Sequence, residues 1–228
     1  MNDSQKTESN IKLAIEIHNR LLNLYGPPKW RTPYPPIDEL VSTILSQNTN
    51  DHNRDLAFGK LKQNFATWEA VRDAPETLVI ETIRPAGLAN QKGPRIQNVL
   101  KEITRQKGSL DLSFLQDLAP EEIRKWLLQF KGVGPKTAAI VIQFAFDKPA
   151  FPVDTHIYRV SGRIGIRPFK MSVEQAHKYL ETLFPPETYY AAHLNIIRFG
   201  REICKSRNPL CEQCPFQDVC NYYKENHI

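Results

Sequence analysis

Apolar residues recur at helical spacing along nearly the whole chain. The first series ends at Gly26-Pro27-Pro28 and consists of Ile11, Leu13, Ala14, Ile17, Leu21 and Leu24. The same period predicts further helices at about 37–47, 51–64, 67–73, 75–84, 91–107, 119–129, 135–146, 155–164, 172–183 and 187–204. Several open with residues typical of a first turn, namely Asp51, Ser172 and Pro120-Glu121-Glu122. Because alternating β-branched runs are few and short, the pattern predicts an all-α fold.

Length and composition describe an ordinary globular protein. The 228 residues are enough to bury a core without disulfides, and 41% hydrophobic with 24% charged residues excludes wholesale disorder and collagen-like repeats. No apolar run approaches the length that spans a bilayer, and the polar start lacks the apolar stretch of a secretory signal. We therefore expect a soluble cytoplasmic protein that makes no use of a membrane.

Positive charge is concentrated in the middle of the chain. Residues 131–170 contain seven basic and two acidic side chains, so this stretch alone carries the formal net charge of +5. Such a local excess favours a polyanion as partner over a small acid. Charge alone leaves open an ordinary solvated basic face.

All four cysteines lie in the last 25 residues, with the spacing C-x6-C-x2-C-x5-C. They are Cys204, Cys211, Cys214 and Cys220. Four cysteines in one short segment predict a metal site, with disulfide pairs as the alternative. Four thiolates hold either a tetrahedral zinc or an iron–sulfur cluster, and the spacing alone does not distinguish them.

The segment Leu127–Ala139 (LLQFKGVGPKTAA) predicts a helical hairpin with an anion site. One helix ends near Phe130, Gly132 and Gly134 turn the chain, and Pro135 suits the first position of the next helix. Backbone amides of the turn and of the new helix are then available to a phosphate. A hairpin without a ligand is the alternative, which the neighbouring basic charge disfavours. Because Pro135 separates Gly134 from Lys136, a nucleotide-binding P-loop is excluded.

A second candidate segment is Phe151–Arg159 (FPVDTHIYR), in which Asp154 suits a helix N-cap. It follows Lys136 by eighteen residues, so one helix and an antiparallel return allow the carboxylate to approach the lysine. A lysine amine that has lost its proton is a nucleophile, and a nearby carboxylate can assist it.

Three motifs follow one another along the chain: FKGVGPKTA, VDTHIYRV and the cysteine series. Together they resemble the endonuclease III family of DNA glycosylases, the helix–hairpin–helix group with a Gly/Pro-rich loop and an aspartate. The likeness covers about residues 11–224. It implies an all-α, two-lobed fold with a DNA cleft between the lobes. A six-helix barrel would span about 29–148, with the hairpin at about 119–146. The second lobe would combine 1–28 with 149–228 and carry a cluster loop at 204–220.

The resemblance also assigns roles. Lys136 matches the catalytic lysine that attacks C1′ of the sugar, and Asp154 matches the aspartate that assists it. The cysteines at 204, 211, 214 and 220 match the ligands of a [4Fe–4S] cluster. Gly132 and Gly134 match the hairpin turn that contacts DNA, and His156 follows Asp154 where a contact to phosphate or to the cleft is expected.

Two further positions match residues that enter the base stack. Leu88 falls where the family has a side chain that wedges between bases. Leu45–Asp51 matches the loop whose glutamine fills the gap left by the extruded base. Here the aligned residue is Asn48, with Gln47 beside it, and this departure leaves the opposite-base preference open.

The resemblance implies a base-excision-repair enzyme with two activities. The lysine displaces a damaged base, with oxidised pyrimidines expected, and the resulting Schiff base leads to strand nicking by β-elimination. We expect a monomer on double-stranded DNA containing damaged bases or abasic sites, associated with a prokaryotic nucleoid. Two alternatives stay open: a mismatch-directed or monofunctional uracil, thymine or adenine glycosylase, and a non-catalytic hairpin DNA-binding protein with a structural metal knot.

Overall fold

The computed structural model describes residues 3–227, and within that range it contains helices and no β-strand. The all-α prediction is therefore confirmed. No helix of the described range is long and apolar enough to cross a membrane. The α-helices are α1 Asp3–Tyr25, α2 Pro36–Ser46, α3 Asp51–Asn64, α4 Trp68–Asp73, α5 Glu76–Thr82, α6 Ala89–Lys107, α7 Pro120–Leu128, α8 Pro135–Ala145, α9 Thr155–Ile164, α10 Val173–Leu183, α11 Tyr189–Glu202 and α12 Asn221–His227. Short 3₁₀ turns occupy Arg84–Ala86, Ser113–Asp117, Pro186–Thr188 and Cys211–Gln213.

Helix caps agree with the sequence at several of these starts. The Ser172 hydroxyl accepts a hydrogen bond from the Gln175 amide at 3.2 Å, and the Gln175 side chain accepts one from the Ser172 amide at 3.1 Å. This reciprocal pair satisfies two amides at the start of α10. Asp51 occupies the first turn of α3, behind Asn50 as the cap.

Two stretches of helix were not predicted. Helix α1 begins eight residues before Ile11, the first apolar position of its stripe, and α12 follows the last cysteine. Both stretches are polar, so no hydrophobic period marks them although their residues tolerate helix. Residues 1, 2 and 228 of the predicted second lobe lie outside the described part of the chain.

Residue contacts divide the chain into two units, the first of which is Thr32–Lys148. Within it, α2 packs against α8 and α3, α6 packs against α4 and α5, and α7 packs against α8. Helix α2 is buried along almost its whole length. Its core residues and those of α8 include Leu40, Val41, Ile44, Leu45, Ala138, Ala139, Val141 and Ile142. The hairpin α7–α8 is therefore mounted on the most buried helix of the unit.

The second unit joins Met1–Arg31 to Pro149–Ile228. Helix α1 packs against α10 and α11, and α9 packs against α11 and α12. One apolar cluster includes Ile17, Leu21, Ile157, Phe199 and Phe216. Phe216 lies between the third and fourth cysteines, so the core itself anchors that segment, with the Phe199 and Phe216 ring centroids 5.1 Å apart.

Candidate functional site

The hairpin turn, residues 130–134, joins α7 to α8 in the first unit. Gly132 has φ of 96°, and a Cβ there would lie 2.2 Å from Cδ of Arg95, so only glycine fits. Gly134 has φ of −98° and serves as the N-cap of α8. A Cβ on Gly134 would meet nothing within 4 Å, which leaves this backbone open to a ligand. The first amides of α8 have no acceptor within the helix, so they remain available to an anion.

Lys136 is half-buried at the second position of α8, directly after the open backbone of the turn. The next residue, Thr137, is buried and anchors this end of the helix through its side chain. The candidate amine is thus attached to a fixed helix start. Lys136 belongs to the unit Thr32–Lys148 and Asp154 to the other unit, and their approach to one another stays a prediction.

Gln47 and Asn48, here called the gap segment, have different environments. The Gln47 amide nitrogen donates to the Gly132 carbonyl at 3.3 Å and to Thr137 Oγ1 at 3.4 Å. Arg95 donates to the other end of the same amide, at Oε1. Asn48 is exposed and has φ of 53°. Gln47 therefore holds the segment on the hairpin turn, while Asn48 is the side chain presented to solvent.

Gly87 and Leu88, here called the wedge segment, precede α6. Both have positive φ, 67° for Gly87 and 51° for Leu88, and the Leu88 side chain is 46% exposed. A leucine in this region costs on the order of 1 kcal/mol, and such strain is concentrated where a protein needs a particular side-chain direction. An exposed, strained leucine is consistent with the wedge predicted at this position.

Asp154 caps α9 in the second unit, as predicted. Its Oδ1 accepts a hydrogen bond from the Ile157 amide at 2.8 Å, and the residue is half-buried. Pro152 and Val153 before it are buried, so the start of α9 is fixed on the core. The cap uses one carboxylate oxygen at a rigid position and leaves Oδ2 for other chemistry.

His156 packs towards α11. Its Nδ1 lies 3.0 Å from a guanidinium nitrogen of Arg159, and a Cβ on Gly200 would lie 2.9 Å from its Cβ. Arg159 in turn donates to the Gly200 carbonyl at 2.8 Å and to the Cys204 carbonyl at 3.0 Å. Burial lowers the pKa of His156 below its usual value, which favours the neutral ring. The predicted contact of His156 to phosphate stays a prediction.

The four cysteines line one pocket within the cysteine loop, residues 204–220. All four are free thiols, so the disulfide alternative is not realised. Arg163 borders the pocket: it donates to Cys204 Sγ at 3.6 Å and to the Lys205 carbonyl at 2.6 Å. Its guanidinium also lies 4.5 Å from the Tyr222 ring centroid. The sequence alone did not single out Arg159 or Arg163, which hold the backbone around the first cysteine.

The chemistry of the four thiols fits a cationic group. Burial raises the pKa of Cys214 to about 11 and also raises those of Cys211 and Cys220. Metal ligation requires thiolates, and bound iron supplies the positive charge that stabilises them. Within residues 3–227 no three His, Cys, Asp or Glu side chains are placed to hold a single metal ion. The nature of the group therefore comes from the comparison with known proteins.

Two family models match the chain. The model of the HhH-GPD superfamily of base excision DNA repair proteins matches residues 41–186, which include the gap segment, the wedge segment, Lys136 and Asp154. The iron–sulfur binding domain of endonuclease III matches residues 204–220, from the first to the fourth cysteine.

Relatives and solved structures agree with these matches. An endonuclease III of Sulfolobus acidocaldarius is 36% identical over 189 residues, 82% of each chain. An endonuclease III of Thermotoga maritima is 33% identical, over 93% of this chain and 92% of the relative. A trapped covalent intermediate of endonuclease III with DNA has a TM-score of 0.81 and 28% identity, covering 94% of this chain and 97% of that one. A thermostable thymine-DNA glycosylase has a TM-score of 0.72 and 26% identity, covering 96% and 99%.

Proposed function

Because the chain belongs to the endonuclease III family of base-excision DNA repair glycosylases, we propose that it removes damaged, chiefly oxidised, pyrimidines and nicks the strand through Lys136. DNA is its partner, and its cofactor is a [4Fe–4S] cluster. The observation that carries the proposal is a lysine on the first turn of α8, directly behind the open backbone of Gly134. Binding alone needs no amine there.

In the proposed reaction the Lys136 amine attacks C1′, and the bond from C1′ to the damaged base breaks with its electrons leaving on the base. Asp154 assists this attack and stabilises the positive charge that develops on the sugar. The sugar ring opens to give a Schiff base with Lys136. Loss of a proton from C2′ then expels the 3′ phosphate by β-elimination, which nicks the strand.

Two other groups support that chemistry. The amides of the hairpin turn bind a DNA phosphate, which fixes the register of the duplex. The cysteines at 204, 211, 214 and 220 would hold the cluster, which when bound ties residues 204–220 into one rigid loop. The extruded base leaves a gap, and Asn48 and Leu88 enter the stack to compensate part of the unstacking energy.

Borohydride trapping tests the lysine. Wild type, Lys136→Ala and Lys131→Ala are incubated with duplexes that carry an abasic site or thymine glycol. Lys131 is an exposed lysine of the same turn and serves as the matched control. We expect a covalent band with wild type and Lys131→Ala and none with Lys136→Ala. Trapping that survives Lys136→Ala would contradict the nucleophile assignment, and trapping at the abasic site alone would contradict the oxidised-pyrimidine substrate.

Single-turnover base release tests Asp154. Asparagine caps helices as well as aspartate does, so Asp154→Asn keeps the hydrogen bond to the Ile157 amide and the stability of α9. We expect base release to slow by about a hundredfold or more with little change in thermal stability. An unchanged rate of base release would show that Asp154 serves only as the N-cap of α9.

A mismatch-directed activity is the second candidate, and one observation favours it. The exposed residue of the gap segment is Asn48, where the family's loop has glutamine, and one solved neighbour is a thymine-DNA glycosylase. A duplex with a G:T mismatch distinguishes the two candidates. Release of thymine from it faster than release of thymine glycol would replace the oxidised-pyrimidine proposal.

We propose a monomer that acts on chromosomal DNA at the nucleoid of a prokaryotic cell. Exposed large apolar side chains are spread singly over several helices, as with Ile15, Leu56, Leu78, Leu128 and Val173. The relatives in Sulfolobus and Thermotoga are prokaryotic proteins. Light scattering should give a mass near 26.3 kDa, and twice that mass would contradict the monomer.

A further inference from the structure

Lys92 is a fully buried lysine that no step of the proposed reaction uses. It lies in the first turn of α6, and its side chain is 1% exposed. Its Nζ donates to the Leu45 carbonyl at 2.8 Å and to the Ala86 carbonyl at 2.7 Å. Burying an amine is costly unless it is hydrogen-bonded, and both of these bonds are made to backbone. Burial lowers the pKa of Lys92 to about 8, as expected for an ammonium inside a core.

The two acceptors lie just before the two segments that carry the candidate intercalating residues. Leu45 lies in the last turn of α2, three residues before Asn48 of the gap segment. Ala86 ends a 3₁₀ turn two residues before Leu88 of the wedge segment. The carbonyls at the end of a helix lack partners within it, so each depends on an outside donor. One amine therefore supplies the donor for the carbonyls that precede both segments.

The backbone that follows each acceptor is left-handed. Asn48 has φ of 53° and Leu88 has φ of 51°. Residues in this region persist only where their surroundings fix them, because the relaxed backbone has negative φ. Without Lys92 two buried carbonyls would be left unpaired beside these residues, and the segments would rearrange to find new donors.

Helix α6 connects the same two segments to the hairpin turn. Arg95 lies one turn after Lys92 and donates to the Gln47 side chain, which in turn donates to the Gly132 carbonyl at 3.3 Å. The aliphatic part of Arg95 also fills the space above Gly132. One face of α6 therefore contacts all three segments that the proposed function brings to the DNA.

We propose that Lys92 is a positioning residue, which holds the gap segment and the wedge segment at a fixed separation so that Asn48 and Leu88 enter the base stack together. The proposal rests on the proposed function, because it assumes that these two side chains contact DNA at a lesion. Lys92 itself touches no reacting atom. Its loss is expected to weaken recognition of the lesion more than it weakens binding to undamaged DNA.

The test compares Lys92→Met with Gln97→Met. Gln97 is a matched control on the same helix: it is 2% exposed, and its amide donates to the carbonyls of Val71 at 2.9 Å and Ala74 at 2.8 Å. Val71 lies in α4 and Ala74 is its C-cap, so neither carbonyl belongs to either segment. Both variants fill the core with the same side chain and leave buried carbonyls without a donor. Both are therefore expected to lower the unfolding temperature, and only Lys92→Met affects the two segments.

The readouts are binding and fluorescence on one pair of duplexes. Affinity is measured for a duplex with a tetrahydrofuran abasic analogue and for the undamaged duplex. A 2-aminopurine opposite the analogue reports its unstacking when side chains enter the gap. For Lys92→Met we expect the affinity ratio of the two duplexes to fall on the order of tenfold and the fluorescence change to be lost. Gln97→Met should keep the ratio within about twofold of wild type.

Each outcome decides the proposal. Suppose that wild type prefers the lesion duplex and that the affinity ratio is the same in Lys92→Met and Gln97→Met. That result would overturn the positioning role of Lys92. If Lys92→Met does not fold, Lys92→Gln takes its place, because its amide can still reach one of the two carbonyls. The ratio expected then lies between wild type and the tenfold loss, and a wild-type ratio overturns the proposal. A wild-type protein that neither prefers the tetrahydrofuran duplex nor forms a trapped band on a true abasic site overturns the proposed function and this inference with it.

Discussion

The gap and wedge segments are held by a buried lysine amine, whereas the cysteine loop is held from outside by arginines. In the first region Lys92 satisfies the carbonyls of Leu45 and Ala86 with no group beyond the protein itself. In the second, Arg163 bonds the Lys205 carbonyl at 2.6 Å, and Arg20 bonds the Pro215 carbonyl at 2.7 Å. Burial raises the pKa of Cys211, Cys214 and Cys220 in that loop, and a bound cation would stabilise their thiolates. The gap and wedge segments therefore need only the folded chain for their hydrogen bonds, whereas the cysteine loop also needs its cofactor.

Loss of a cysteine ligand should have the largest effect. Cys214→Ala removes a thiolate that the cluster needs, and we expect loss of the yellow-brown colour and of bound iron. Loss of a metal group is among the few single changes that cost on the order of 4 kcal/mol or more. Absorbance, iron content and thermal unfolding measure this.

Gln217→Ala is the control in the same loop. It loses one hydrogen bond to the Cys211 carbonyl, 2.7 Å long, and should cost about 1 kcal/mol while the colour stays. If the Cys214→Ala protein remains coloured and as stable as wild type, the cysteine loop does not depend on Cys214 as a cluster ligand.

Removal of the aromatic anchor comes next. Phe216 is fully buried, so Phe216→Ala should lower the free energy of unfolding by about 4 kcal/mol and speed the loss of iron to a chelator. Phe169→Ala changes a ring that is 84% exposed and should cost less than about 0.5 kcal/mol. Equal losses in the two variants, measured by urea unfolding, would show that the loop does not depend on the core.

The hairpin turn offers a matched pair of glycines. Gly132→Ala combines a φ of 96° with a clash against Arg95 and should cost about 2 kcal/mol. Gly134→Ala has negative φ and open space, so stability should hardly change, while the added methyl covers the proposed phosphate site. Urea unfolding and DNA affinity separate the two effects. Similar stability losses in both variants would contradict the assignment of strain to Gly132 alone.

Titration of Lys92 should give the smallest effect. The folded pKa of about 8 lies below the ordinary value of 10.5, so between these values the unfolded chain binds a proton that the folded protein does not. Stability should therefore rise with pH over that window, by about 1 to 2 kcal/mol between about pH 7 and about pH 9.5. The neutral amine still has two N–H groups for its two carbonyls.

Lys92→Met should lose this rise, since the amine whose pKa is lowered on folding is then absent. Urea midpoints of wild type and variant at both pH values measure the difference. A rise of equal size in the variant would assign it to another group.

Local signals predicted much of the fold and several site residues. Caps such as Asp154 and Ser172, and the glycine turn before Pro135, act through neighbours in the chain and can be recognised from the sequence. The four cysteines are visible for the same reason, because their ligand spacing is local. Polar helix without an apolar stripe, as in α12, gives no comparable signal.

Lys92 and Arg95 act over long distances in the chain and were missed. The bond from Lys92 to Leu45 spans 47 residues, so no local pattern encodes it. A signal existed nevertheless: Lys92 lies at helical spacing from Ile96, Val99 and Ile103, all buried. A lysine on the apolar stripe of a helix indicates a buried amine with carbonyl or carboxylate partners.

The contact between α1 and the cysteine loop has a consequence for folding during synthesis. Arg20 and Asp218 bond at 2.7 Å across 198 residues of chain, so α1 leaves the ribosome long before its partners exist. Residues 32–148 are contiguous and can fold as they emerge, whereas the unit that contains α1 must wait for the last cysteine. The unit that contains the cysteine loop can therefore assemble only after that loop has been synthesised.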